Sequence, residues 1–149
     1  MTGWGLQLST VLNLFPPFTL FGIASVGRGH ESYTTDLGND DLDLIPDYNR
    51  KGRLYPPLGT GFVIGAQYYF TPKLFSNIAF SQQSYFPKET YLPQDNNLYK
   101  YGLYAVGNLF WDITPRFEVG IEYLYGKRMN YGGTFGSADR IMAQMMLSF

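Results

Sequence analysis

The sequence predicts an all-β protein, an antiparallel transmembrane β-barrel, on three observations. First, the closing residues alternate: Phe149, Leu147, Met145, Ala143 and Ile141 are apolar, while Ser148, Met146, Gln144, Met142 and Arg140 carry most of the polar groups. A period of two is a strand with two different faces, and about ten residues is what a tilted strand needs to cross a bilayer. Second, aromatic residues make up 18 % of the chain, with 13 Tyr and 12 Phe, while charged residues are 15 %. Ordinary domains carry ~25 % charge, so rings are abundant and charge is scarce. Third, tight proline turns alternate with long polar stretches, as in barrels with short turns at one rim and long loops at the other.

Seven strands follow from the same rhythm. In the first, Trp4, Leu6, Leu8, Thr10, Leu12 and Leu14 alternate with Gly3, Gly5, Gln7, Ser9, Val11 and Asn13. The second runs over about 18–28 with an ambiguous phase. The third, 61–70, sets Phe62, Ile64, Ala66, Tyr68 and Phe70 against Gly61, Val63, Gly65, Gln67 and Tyr69. The fourth, about 74–85, alternates weakly, with only Ile78 and Phe80 readily placed. The fifth puts Tyr99, Tyr101, Leu103, Ala105, Gly107, Leu109 and Trp111 on one face. In the sixth, Phe117, Val119, Ile121, Tyr123 and Tyr125 face one way, and Arg116, Glu118, Gly120, Glu122 and Arg128 the other. The seventh is the terminal strand. Phe15-Pro16-Pro17, Thr71-Pro72 and Asp112-Ile-Thr-Pro115 are the tight turns; residues 30–58, 87–98 and 127–137 are the long connections. With short turns periplasmic, Phe70, Trp111, Phe117 and Phe149 form one expected aromatic girdle. Trp4, Phe62, Tyr99, Tyr101, Tyr123 and Tyr125 form the other.

Composition narrows the function. A net charge of -1 opposes a nucleic-acid protein with a basic surface. With no cysteine there is no disulfide framework, thiol chemistry or zinc–thiolate site. The uncharged stretch 1–27 is neither a membrane helix nor a signal peptide: Pro16-Pro17 interrupts it and no basic segment precedes it. A soluble sandwich or lipocalin-like barrel alternates equally well, but its outward face should be charged. Here the second face of several strands is Gly, Gln, Asn and Tyr, which suits a crowded lumen.

Bacterial single-chain barrels have an even number of strands with both ends periplasmic. Seven strands, the first starting at the outer rim, predict that residues 1–149 are a single segment, the C-terminal portion of a larger barrel. At least one upward strand and a signal peptide would then be missing before Gly3, which implies a mature or cut chain. Segment 31–58 holds half of the acidic residues (Glu31, Asp36, Asp40, Asp41, Asp43, Asp47) and offers no lipid-compatible face, so no crossing strand is expected there.

Five stretches resemble the later strands of DcaP-like outer-membrane porins, in order along nearly the whole chain. They are Trp4-Gly-Leu-Gln-Leu-Ser, Gly27-Arg-Gly-His-Glu-Ser-Tyr33 with the Asp-rich residues after it, and Gly61-Phe-Val-Ile-Gly-Ala-Gln-Tyr-Tyr-Phe-Thr-Pro72. The others are Asn108-Leu-Phe-Trp-Asp-Ile-Thr-Pro-Arg-Phe-Glu-Val-Gly-Ile-Glu-Tyr-Leu-Tyr-Gly126 and Gly136-Ser-Ala-Asp-Arg-Ile through Phe149. Residues 108–126 with the terminal strand are the most specific. The resemblance implies part of a roughly sixteen-stranded homotrimeric porin in a Gram-negative outer membrane, a family associated with small anionic solutes such as dicarboxylates. Expected partners are outer-membrane lipid, small solutes and, through Phe149, the barrel assembly machinery. Loop 31–58 departs from the family in length and acidity.

The candidate pore-lining charges are Arg28, Arg116, Glu118, Glu122, Arg128 and Arg140. Cations along a water-filled path lower the barrier for anions because the field is focused between low-dielectric walls. The opposing reading is structural: Arg116 and Glu118 pair across neighbouring strands and stiffen the wall. Asn39-Asp-Asp-Leu-Asp43 has oxygens for calcium but no EF-hand spacing, and reads as a solvated acidic loop. His30 stands without a nucleophile at a telling spacing, so no enzyme is expected; nor is any cofactor or metal. A non-transport structural or adhesive barrel, binding partners through its outer loops, is the alternative function.

Overall fold

The computed structural model describes residues 2–30, 43–47, 50–88 and 97–149. Among these there is no helix. β1 (Trp4–Phe15), β2 (Phe18–Arg28), β5 (Leu58–Thr71), β6 (Leu74–Phe86), β7 (Tyr99–Thr114), β8 (Phe117–Asn130) and β9 (Phe135–Leu147) form one sheet. Its order is β1-β2-β5-β6-β7-β8-β9, every neighbour antiparallel. Within the first long connection, the two-residue strands β3 (Ile45–Pro46) and β4 (Leu54–Tyr55) pair with each other. No further strand enters the main sheet between β2 and β5, which pair directly. The sheet is open: β1 and β9 are its opposite edges. Apart from Asp43, the acidic stretch 39–43 lies outside the described residues.

The short turns repeat one local design. Pro16-Pro17, Pro72-Lys73 and Pro115-Arg116 each link two strands, and each has proline first, where its fixed φ suits a turn. Just before each turn the ladder slips by one residue, at Asn13/Phe15, Tyr69/Thr71 and Asp112/Thr114. The Thr71 hydroxyl accepts bonds from the backbone N–H of Lys73 (3.2 Å) and Leu74 (3.0 Å), and that of Thr114 accepts from Arg116 (3.3 Å). The last carbonyl of each turn reaches one strand further along the sheet. Pro17 accepts from Tyr69 (2.8 Å), Lys73 from Asp112 (2.8 Å) and Arg116 from Ser148 (2.9 Å).

Directly opposed residues share a face, so the register sorts every strand. One face carries Leu6, Leu8, Leu12, Phe62, Ile64, Ile78, Leu103, Val119, Ile121, Ile141 and Leu147. Among the described residues nothing covers it: Ile64 is 56 % exposed, Ile78 61 %, Ile121 55 % and Ile141 73 %. Among the described residues the buried hydrophobic side chains are three tyrosines, Tyr55, Tyr85 and Tyr99. A water-soluble sandwich would have to bury the apolar face, because soluble monomers rarely expose apolar patches beyond a few hundred Å².

The apolar band slants across the hydrogen-bonded rows. The row Leu8–Ala24–Phe62–Gln82–Leu103–Lys127–Ser137 begins apolar and ends polar. On β1 the band starts at Trp4. On β9, past Ser137 and Asp139, it starts at Ile141, which lies in the row of Leu12, four rows along. Four rows are roughly 27 Å along a strand and six strand gaps roughly 29 Å across. The slope is then about 40–45°, the tilt that closure of a transmembrane barrel requires.

Candidate pore wall

The second face is polar and organised by rows. One row crosses the whole sheet as Asn13–Thr19–Gln67–Asn77–Asn108–Glu122–Met142. Its members bond sideways. The Thr19 hydroxyl donates to Asn13 Oδ1 (2.8 Å), and Asn77 donates to Asn108 Oδ1 through its backbone N–H (2.8 Å) and its Nδ2 (2.9 Å). Asn108 Nδ2 in turn donates to Glu122 Oε2 (3.3 Å). An amide ladder therefore ends on one carboxylate, which is held in place by an uncharged donor rather than by a cation.

On the same face three aromatic rings lie over glycines directly opposite them: Phe21 over Gly65, Phe110 over Gly120 and Tyr104 over Gly126. A Cβ would stand 2.3 Å from the ring at Gly65 and at Gly120, and 3.0 Å at Gly126. The rings lie flat because those positions lack a side chain, and this keeps the wall thin. Tyr69, Phe75 and Phe110 continue the aromatic surface towards the short-turn rim, with centroids 5.0 and 5.3 Å apart.

At the long-loop end, a slip in the ladder between Tyr99 and Tyr101 turns Tyr99 onto the polar face, opposite Asn130. The ring is 4 % exposed, its hydroxyl donates to the Gln83 carbonyl (3.4 Å), and the Arg128 guanidinium lies 5.1 Å over it. Arg128 Nε also donates to Asn130 Oδ1 (3.2 Å). These contacts orient the arginine beside a hollow of about 560 Å³ floored by Gly102, Gly126 and Gly136. Tyr99 is thus not a girdle residue. Period two placed it with Tyr101, and the bulge at Lys100 reversed its side.

Two of the candidate charges also stand elsewhere than expected. Arg28 is opposite Trp4 and so shares the apolar face at the long-loop end. Arg116 lies in the turn before β8, off its face, and among the described residues it makes no ion pair with Glu118. Glu118, Glu122 and Arg128 occupy the polar face of β8; Arg140, opposite Leu124, occupies that of β9. Asp112, opposite Glu118, joins them.

The remaining aromatics, Trp4, Tyr101, Trp111, Phe117, Tyr123 and Tyr125, fall on the apolar face by register, and Phe70 packs edge-on against Tyr68 there (5.1 Å). Phe149 follows the end of β9 fully exposed. A run of neighbouring rings near the short turns, Phe15–Phe18 (5.3 Å), Phe18–Tyr68 (6.3 Å) and Tyr68–Phe70, is not evident from the sequence alone. The Phe-Pro-Pro-Phe spacing was its only trace.

His30 leaves β2 and packs its ring against the backbone of Gly27 and Gly5. Burial lowers its pKa below the ordinary 6.5, against the opposing pull of the Asp43 carboxylate.

No family model matches the sequence, and no curated protein matches it. The likeness is to a solved structure. The outer membrane channel DcaP of Acinetobacter baumannii superposes with a TM-score of 0.85 over 100 % of this chain, at 22 % identity, and the match covers 41 % of that channel's chain. The chain therefore has the fold of part of a DcaP channel and spans about two fifths of its length.

Proposed function

We propose that this chain is part of the wall of an outer-membrane diffusion channel for small hydrophilic solutes. The observation that carries this reading is the pair of faces. One is an uncovered apolar band slanted as a barrel strand must be; the other is an amide ladder studded with charges. The apolar band faces lipid, with Trp4, Tyr101, Tyr123 and Tyr125 at one interface. Phe15, Phe18, Phe70, Trp111, Phe117 and Phe149 stand at the other. The polar face borders the water path. Further strands complete the barrel, a homotrimer is the expected assembly, and Phe149 is the handle for the barrel assembly machinery. The likeness to the DcaP channel supports this arrangement.

Arg128 and Arg140 stand towards the long-loop, extracellular end and favour entry of anions, as fixed charges and as forks for carboxylates. Arg28 and Arg116 have no part in this. The test is conductance of the complete protein in a planar bilayer. The double variant Arg128→Ala, Arg140→Ala should shift the reversal potential towards cations, and less so at high salt, as the Debye length falls from ~10 Å at 0.1 M to ~3 Å at 1 M. A complete protein that does not conduct would leave the non-transport, adhesive barrel as the better reading.

A further inference from the structure

Charge on the polar face is separated along the strands. Arg128 and Arg140 lie towards the long loops; Glu122 lies further towards the short turns, and the opposed pair Glu118 and Asp112 further still. The two signs meet at Arg140 and Glu122. Arg140 opposes Leu124, and Glu122 is two residues along β8 on the same face. The two are therefore diagonal neighbours, with Cβ atoms about 7–8 Å apart. Among the described residues no ion pair joins them. Glu122 is held instead by Asn108, itself held by Asn77, so its carboxylate is oriented without being neutralised. On its short-turn side, away from Arg140, it borders a hollow of about 390 Å³ with Phe110, Gly120, Met142 and Gln144, and the flat Phe110 ring over Gly120 keeps that space open.

We infer that Arg140 and Glu122 form a subsite for a zwitterion, a small solute bearing a carboxylate and an ammonium group one carbon apart, as in an α-amino acid. This rests on the channel reading above. The guanidinium fork takes the carboxylate in a bidentate contact. The ammonium, a compact three-donor cation, turns to Glu122 and the Asn108 amide beside it. A dicarboxylate gains the first contact and loses at the second, where its other carboxylate meets Glu122 in a focused field of the same sign. The nearest other charges on this face are Arg128 at the outer end and Glu118 and Asp112 at the inner end; Lys73 and Arg116 sit in the turns, off the wall. Arginine thus draws the anionic end of a solute in, and the acidic stretch selects for a positive charge behind it.

Liposomes reconstituted with the complete protein test this by osmotic swelling in alanine and in succinate, each normalised to glycerol. Wild type should admit alanine faster than succinate. Glu122→Gln should lower the alanine-to-succinate ratio about tenfold, the scale of one charge-assisted contact, and Glu122→Asp should restore part of it. Arg140→Gln should slow both solutes. Each variant is first shown to keep the heat-resistant gel migration of the folded barrel. A wild-type protein that prefers succinate overturns the proposal, as does a ratio indifferent to Glu122→Gln. Failure to admit glycerol at all would instead remove the channel reading beneath it.

Discussion

The two rims of this sheet are held by different physics. At the short-turn rim each connection is two residues long, and proline geometry and one slip in the ladder account for its shape, with a threonine hydroxyl added at two of the three. At the long-loop rim the chain is held by distant partners. Tyr85 is wholly buried and packs with Tyr99; its carbonyl accepts from the Tyr131 hydroxyl (2.8 Å), 46 residues away. Lys88 lies 4.3 Å over the Tyr55 ring, and His30 lies on two glycines. Local rules thus close one rim. The other depends on a small aromatic core, the only conventional core among the described residues, even though it lies on the polar face of the sheet.

The largest effect should come from that core. Tyr85→Ala in the complete protein should cost about 3–5 kcal/mol, the range for deleting a buried ring, measured by urea unfolding from lipid vesicles. Amide exchange should rise at the long-loop rim and stay unchanged at the short turns. A cost below 1 kcal/mol, or exchange spread evenly over both rims, would break the distinction.

Loss of turn chemistry should be milder. Thr71→Ala removes two hydroxyl-accepted bonds and should cost about 1 kcal/mol; Thr114→Ala removes one and should cost roughly half as much. The same unfolding assay reads both. If either exceeded the effect of Tyr85→Ala, the short-turn rim would be the one under tertiary control.

The smallest effect should be a pH dependence confined to one rim. His30 is lowered below 6.5 by burial, so the folded rim favours its neutral form. Stability from this group is full above the unfolded value, ~6.5, and falls as pH drops below it towards the folded value, because the opened state then binds the proton more readily. Exchange at residues 27–30, corrected for intrinsic rate, should quicken between pH 7.5 and pH 5, and His30→Gln should abolish the change. Equal acid sensitivity at residues 71–74 would show that the effect is not the histidine's.

This contrast also explains which features could be read from the residues. All seven strands and all three tight turns were visible, since a period of two and a proline turn are written within ten neighbouring residues. The weakly alternating fourth strand and the unphased second were settled by pairing. Phe21 and Ile23 stand on the polar face because they oppose Gly65 and Val63. Tyr99 was misplaced because one inserted residue inverts a strand's sides, and no composition signal marks Lys100 as that residue. Arg28 was misplaced for want of a phase on β2, and Arg116 because a turn residue next to a strand looks in step with it. Asn77, Asn108 and Glu122 were each visible as polar residues, but nothing in the order of the chain says that they bond to one another.

The sequence by itself determined the faces of five of the seven strands, the approximate strand ends and the side on which the long connections lie, because these depend on backbone periodicity and on turn residues a few positions apart. Register, bulges, the slanted apolar band, the rings laid over glycines and the placing of Arg140 diagonally from Glu122 were decided only in the tertiary structure. Each depends on which hydrogen-bonded row a residue joins, and a row is set by pairing between strands distant in the chain, where a slip of one residue exchanges the two faces.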